Sequence, residues 1–160
     1  MSVKFKVEGF REMEKALARL PRGTAKGVTR RVVKKVLEPV RDTADSYSGA
    51  FNVAITSRLS PRQSGLARGD RGPSLVSMYV GPVTQDGSHA PHAHLIEFGT
   101  APRFHKSGKY VGAVSPDPFM RPAWDMHKGQ MLEELGRLMW VEIEKTVARA
   151  AAKAAREAAR

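Results

Sequence analysis

The segment His92-Ala-His-Leu-Ile-Glu-Phe-Gly-Thr100 contains an apolar run that ends in Glu-Phe-Gly-Thr, and Pro116-Asp-Pro-Phe-Met-Arg-Pro-Ala-Trp-Asp125 follows it at the start of a long helical pattern. The apolar run predicts a short helix or strand at residues 93–98, packed against the core. Glu97 lies inside this run, where a carboxylate is costly to bury unless it is paired. We therefore expect Glu97 to have a partner, either Arg121 or an arginine of an adjacent subunit.

Apolar spacing on both sides of this block predicts further helices. Residues 10–20 have the three-and-four spacing of an amphipathic helix that stops at Pro21. A second helix is predicted after Gly23, with Thr24 as its N-cap and a kink or break at Pro39. After Pro122 the helical pattern continues to the C-terminus, although the glycines at 129 and 136 favour a bend or a break.

Alternating segments predict a small antiparallel sheet. Residues 2–8 alternate apolar and charged side chains, and β-like runs occur at 53–59, 75–83 and 110–114. The interval 46–73 is rich in Gly, Ser, Pro and Arg, which predicts a long mobile basic loop. The expected fold class is α+β, with the sheet packed by N-terminal helices and a long C-terminal helix. We expect a single domain at 1–145 and an Ala/Arg-rich helical extension at 146–160.

Composition limits the protein classes to consider. The chain has 160 residues, 41% of them hydrophobic and 27% charged, which is typical of one globular domain. No run approaches the roughly 20 apolar residues that span a bilayer, so we expect no membrane partner. Cysteine is absent, which excludes disulfides and thiolate-bound zinc. Stability must therefore come from packing or from contacts between subunits.

Patterns of catalytic and metal-binding residues are weak. His89, His92, His94 and Glu97 resemble a metal site superficially, but His89 would point away from the other two in an extended segment, and the Ala-Pro interruption indicates a loop. These patterns favour histidines at the surface or at the edge of the core. No serine lies in a Gly-x-Ser-x-Gly elbow, and Ser107-Gly108-Lys109 lacks the rest of a phosphate-binding loop. We expect no metal, no cofactor and no enzymatic activity.

Positive charge is the strongest compositional feature. Lys and Arg number 27 against 16 Asp and Glu, a formal net charge of +11. This surplus favours contact with nucleic acid or with an acidic protein surface. The predicted phosphate or partner contacts fall on the basic face of the second helix and in the arginine-rich loop: Lys26, Arg30, Lys34, Arg58, Arg62, Arg68 and Arg71. Such cations would contact phosphates without reading base sequence.

In order along the chain, Gly9-Phe10, Pro39-Val40, Ser64-Gly65-Leu66, Glu97-Phe-Gly-Thr100 and Pro118-Phe-Met-Arg-Pro-Ala123 resemble the tail-component family of long-tailed phages, relatives of the lambda minor tail protein Z. The resemblance implies an α+β subunit of a ring at the head-tail junction (the neck), which completes the tail for joining. Its structural signature would comprise Glu97, Phe98, Gly99, Thr100, Pro118, Phe119, Arg121, Pro122 and Trp124.

The resemblance also implies partners and a location. The partners would be further copies of the chain in a ring, other neck and tail proteins, and genomic DNA that meets cations lining the lumen without sequence preference. The protein would be made in the host cytoplasm and reside in the virion. Two alternatives stay open: a nucleic-acid-binding protein without sequence specificity, and a tail-terminator or head-closure protein of the same neck.

Overall fold

The computed structural model describes residues 9–59 and 76–159. These residues form four helices and two separate two-stranded antiparallel sheets, so the fold is α+β as predicted. The predicted strand at 2–8 lies outside the described residues. The elements in chain order are α1 (Phe10–Ala18), α2 (Arg22–Tyr47), β1 (Asn52–Thr56), β2 (Tyr79–Val83), α3 (Ala93–Phe98), β3 (Arg103–Phe104), β4 (Tyr110–Gly112) and α4 (Met120–Ala158).

Helix α2 packs along α4. The buried residues around this pair of helices form two separate clusters. The valines of α2 recur every four residues, so they line one side of the helix. One cluster joins this side to α1 and the middle of α4: Met13, Val28, Val32, Val36, Met139 and Ile143. The other joins the end of α2 to β1, α3 and the beginning of α4: Val40, Ala44, Val53, Ala90, Ala93, Phe119 and Ala123.

The boundaries of α2 differ from the prediction. The backbone N–H of Ala25 already donates to the carbonyl of Pro21 at 2.9 Å, so the helix begins at Arg22 and Thr24 lies inside it rather than at its N-cap. The fixed φ of Pro21 suits a residue at a helix start. Pro39 does not end the helix, which continues to Tyr47 while Val36 and Val40 on either side of the proline are packed in the core. The alternative of a kink at Pro39 stays a prediction.

The predicted pairing of the 53–59 and 75–83 runs is confirmed as the antiparallel pair β1 and β2, with Asn52 opposite Val83 and Thr56 opposite Tyr79. The predicted loop at 46–73 is therefore wrong at its start, where α2 continues to Tyr47 and β1 follows. Residues 46–59 include apolar side chains that pack into the core, such as Val53, and this packing favours regular structure over a loop. Residues 60–75 lie outside the described residues.

Around the signature, α3 takes the helical alternative, and the run at 110–114 contributes β4, which pairs with β3. Helix α4 begins at Met120, two residues before Pro122, and continues through both glycines without a break. Its 39 residues span about 58 Å. Its side chains from 147 to 159 are all exposed. Among the described residues, no helix combines the length and apolarity needed to cross a membrane.

Candidate functional site

The carboxylate of Glu97 caps the beginning of α4. Its Oε2 accepts hydrogen bonds from the backbone N–H groups of Phe119 at 2.8 Å and Met120 at 2.9 Å, and its Oε1 accepts one from Arg121 at 2.9 Å. The first N–H groups of a helix lack partners within the helix, and the helix dipole favours a negative charge there. Glu97 therefore ties α3 to α4 across more than twenty residues of sequence.

Two opposing effects set the charge of Glu97. Glu97 is only 8% exposed, and this burial raises the pKa of its carboxyl group. The hydrogen bonds from the backbone N–H groups of Met120, Arg121 and Phe119, with a contribution from the charge of Arg121, outweigh burial and place the net pKa below its ordinary value of 4.5. Glu97 is consequently ionised at neutral pH, which strengthens the cap.

The prediction that Glu97 needs a partner is confirmed, but the Arg121 side chain is not that partner. The bonds come from the main chain, and the guanidinium of Arg121 instead lies 5.5 Å from the ring centroid of Phe98. No ion pair of Glu97 is found within the described part of the chain. The apolar run around Glu97 indicated that a charge would be buried. Its hydrogen-bond donors are main-chain N–H groups 22 to 24 residues away, and such groups cannot be identified from side-chain type.

Gly99 and Thr100 clamp the segment that leads into α4. Gly99 has φ 70° and ψ −177°, a conformation open essentially to glycine. A Cβ at this position would lie 2.8 Å from the carbonyl oxygen of Val114 and 2.9 Å from ring atoms of Pro116. The Thr100 N–H donates to the Val114 carbonyl at 2.9 Å, and the Val114 N–H donates to Thr100 Oγ1 at 3.0 Å. This close approach places the segment after Val114 where its backbone N–H groups can reach Glu97.

The structural signature faces two ways. Phe119 is 2% exposed and packs with Phe51, at 6.5 Å between ring centroids, so it anchors α4 in the core. Phe98 and Trp124 are 61% and 45% exposed, and Arg121 is exposed as well. Pro118 is exposed and Pro122 is half-buried. The signature is therefore both an internal brace and part of the surface.

An apolar depression of about 500 Å³ lies beside this brace. We call it the outer groove and define it by five of its apolar lining residues: Val80, Pro82, Phe98, Met120 and Trp124. Strand β2, helix α3 and the first turns of α4 each contribute a wall. Large exposed aromatic side chains around a concave apolar surface are typical of protein-protein contacts.

The predicted cationic contacts occupy several places. Lys26, Arg30 and Lys34 all lie exposed on α2. Arg58 is exposed just after β1, away from that helix in sequence, and Arg62, Arg68 and Arg71 lie outside the described residues. The structure thus brings three of the predicted cations onto one helix.

Glu142 was missed by sequence reasoning. It is 8% exposed, and its carboxylate pairs with Arg31 Nε at 3.2 Å and Lys35 Nζ at 3.6 Å. Burial raises the pKa of Glu142. The hydrogen bond from Arg31 and the charge of Lys35 lower this pKa by more than burial raises it, so the net pKa lies below 4.5. Its position between Met139 and Ile143 on the helical stripe was the available signal, the same kind that identified Glu97.

Both oxygens of Glu97 are engaged by backbone donors, so this carboxylate is arranged to hold structure together rather than to exchange protons with a substrate. Within residues 9–59 and 76–159, no cluster of three or more His, Asp or Glu side chains is arranged to hold a metal ion. Comparison with protein-family models, with curated proteins and with solved structures finds no match to this chain.

Proposed function

We propose that this protein is a structural subunit of the neck of a long-tailed phage or phage-like particle, where it completes the tail for joining to the head. The observation that supports the proposal is the contact between the two motifs that resemble the phage family, at residues 97–100 and 118–123. Glu97, from the first motif, caps the helix that the second motif begins. A capped helix start beside exposed aromatic side chains suits a protein that works by docking rather than by catalysis.

The exposed surface supports an assembly role. The outer groove leaves Phe98 and Trp124 in contact with solvent, and the last turns of α4 carry small alanine side chains with no burial. Alanine contributes little apolar area but allows close approach of another helix. We propose that copies of this chain, together with other neck and tail proteins, cover these surfaces in the virion after synthesis in the host cytoplasm.

A nonsense codon at Lys15 in the native particle system is expected to leave DNA-filled heads and separate tails that do not join. Negative-stain electron microscopy of the lysate is the measurement, and supplying the intact chain from a plasmid is the control. Joined particles of normal appearance would reject the neck role. Tails of uncontrolled length would instead favour a tail-terminator function, because tail completion acts after length is set.

The outer groove gives a second, sharper expectation. Trp124→Ala is expected to reduce joined particles about tenfold or more, because buried tryptophans at interfaces commonly contribute at least 2 kcal/mol. Trp140→Ala is the matched control, since Trp140 is also exposed but lies outside the groove. Thermal denaturation of both purified variants establishes that they fold. Equal joining by the two variants would exclude the outer groove as the contact surface.

A further inference from the structure

The first half of α2 carries positive charge without any acid. Residues 22–35 include six Lys or Arg and no Asp or Glu. Acidic side chains enter α2 only from Glu38 onward. Along this half of the helix, therefore, no carboxylate of the same segment reduces the positive potential.

Three of these cations point directly away from the core. Val28, Val32 and Val36 are buried on one side of α2, whereas Lys26 and Arg30 are exposed on the opposite side. With Lys34, they fall within an arc of about 80° and extend about 12 Å along the helix. We call Lys26, Arg30 and Lys34 the cation stripe.

Ion pairing separates the cation stripe from its neighbours. Arg31 and Lys35 sit further round the helix, where both pair with the buried Glu142 of α4. Arg41 pairs with Asp42. Within the described part of the chain, no side chain forms an ion pair with a member of the cation stripe.

The surroundings of the stripe indicate what kind of partner it fits. Protein interfaces have an apolar centre. The only large hydrophobic side chain that α2 exposes among the described residues is Tyr47, at its far end. Gly23 lies beside the stripe, and the space that a Cβ would occupy there is open. A cationic helix surface without an apolar centre fits a partner recognised by charge alone, as a nucleic-acid backbone is.

We propose that the cation stripe binds the phosphate backbone of duplex DNA without reading base sequence. The three side chains stand about 6 Å apart along the helix axis, and duplex DNA offers one phosphate charge per about 1.7 Å of its own axis. Phosphates are therefore spaced more densely along the duplex than the cations are along the helix, so contact needs no particular register. This inference goes beyond the neck role and does not depend on it, because DNA binding is measured on the isolated protein.

The test is fluorescence anisotropy of a labelled mixed-sequence duplex with the full chain, at NaCl concentrations from about 50 to 200 mM. The triple variant Lys26→Gln, Arg30→Gln, Lys34→Gln is expected to flatten the slope of log K against log salt by about 2 to 3, since each phosphate contact contributes about 0.9. Its affinity at the lowest salt should fall at least about tenfold.

A matched control removes three cations that are already paired. Lys128→Gln, Arg137→Gln and Lys153→Gln together lower the net charge equally, yet these residues pair with Asp125, Glu134 and Glu157. This control should change the slope by less than about 1. Equal losses from both triple variants would overturn the proposal, because binding would then follow overall charge. Equal affinity and salt dependence with polyglutamate would overturn it in favour of an acidic protein partner.

Glu142→Gln tests the same surface in the opposite direction. It releases Arg31 and Lys35 beside the stripe, and both are about half exposed, so the variant is expected to fold. DNA affinity should rise, and the slope should steepen by up to about 2. An unchanged or lower affinity in a folded Glu142→Gln protein would place DNA binding elsewhere on the chain.

Discussion

Replacing Glu97 by alanine is expected to lower the free energy of unfolding by about 2–4 kcal/mol. An exposed helix cap contributes about 1 kcal/mol, but this carboxylate serves three backbone N–H groups, and Phe119 is buried. After the substitution these donors lose their acceptor at a site that water reaches poorly. Chemical denaturation followed by circular dichroism is the measurement.

Two further variants separate charge from geometry. Glu97→Gln keeps the side-chain volume and one acceptor oxygen, so its expected loss is smaller, about 1–2 kcal/mol. Glu134→Ala removes a half-exposed acid of α4 whose one ion pair among the described residues is with Arg137, and its stability should remain close to that of the parent chain. If Glu97→Ala were as mild as Glu134→Ala, the cap would not hold α4.

The pH dependence of these variants has a definite sign. The folded-state pKa of Glu97 lies below 4.5, so its stabilisation is fully present above that value and is lost as the pH falls through the folded pKa. The stability gap between the parent chain and Glu97→Gln should therefore be widest near neutral pH and shrink below about pH 4.5. A gap that stays constant down to pH about 3 would contradict a cap that depends on ionised Glu97.

The spacing of apolar residues predicted those elements of the fold whose position depends on burial of side chains. The valines of α2 report directly on burial, and the strand-like runs indicated where β1 and β2 lie. Local rules for caps and helix ends were less reliable in the same helix, although a kink at Pro39 stays a prediction. Thr24 is a favourable cap, yet Pro21 already fixes the helix start, and packing on either side of Pro39 carries the helix through a residue that disfavours it.

The candidate site shows the same division. A charge inside an apolar run indicated that Glu97 needed a partner, because burial cost depends on residue type. The identity of the partner depended on how α3 meets α4, and main-chain donors have no sequence signal. Likewise, Phe119 and Trp124 are both aromatic residues near one helix start. Tertiary packing against the second core cluster and Phe51 buries Phe119, whereas Trp124 stays on the surface.

Gly99→Ala is expected to destabilise the protein by about 3 kcal/mol or more. The combination of φ 70° and ψ −177° strains any residue with a Cβ. The added atom would also lie 2.8 Å from the Val114 carbonyl oxygen and 2.9 Å from the ring of Pro116. Neither neighbour is the free end of a flexible side chain, so the backbone itself must move. Thermal and chemical denaturation measure the loss.

Gly87→Ala supplies the matched control, because Gly87 also has a positive φ of 80° but has open space where a Cβ would be. Its cost should be limited to backbone strain, about 1–2 kcal/mol. The difference between the two variants measures the close approach of residues 99 and 114. That approach positions the chain for the Glu97 cap. Under the proposed neck role, Gly99→Ala should impair tail joining by disturbing the brace, whereas Trp124→Ala should impair it with stability intact. Equal destabilisation by the two glycine substitutions would mean that residues 114–116 can shift freely, and the brace would then rest on Glu97 alone.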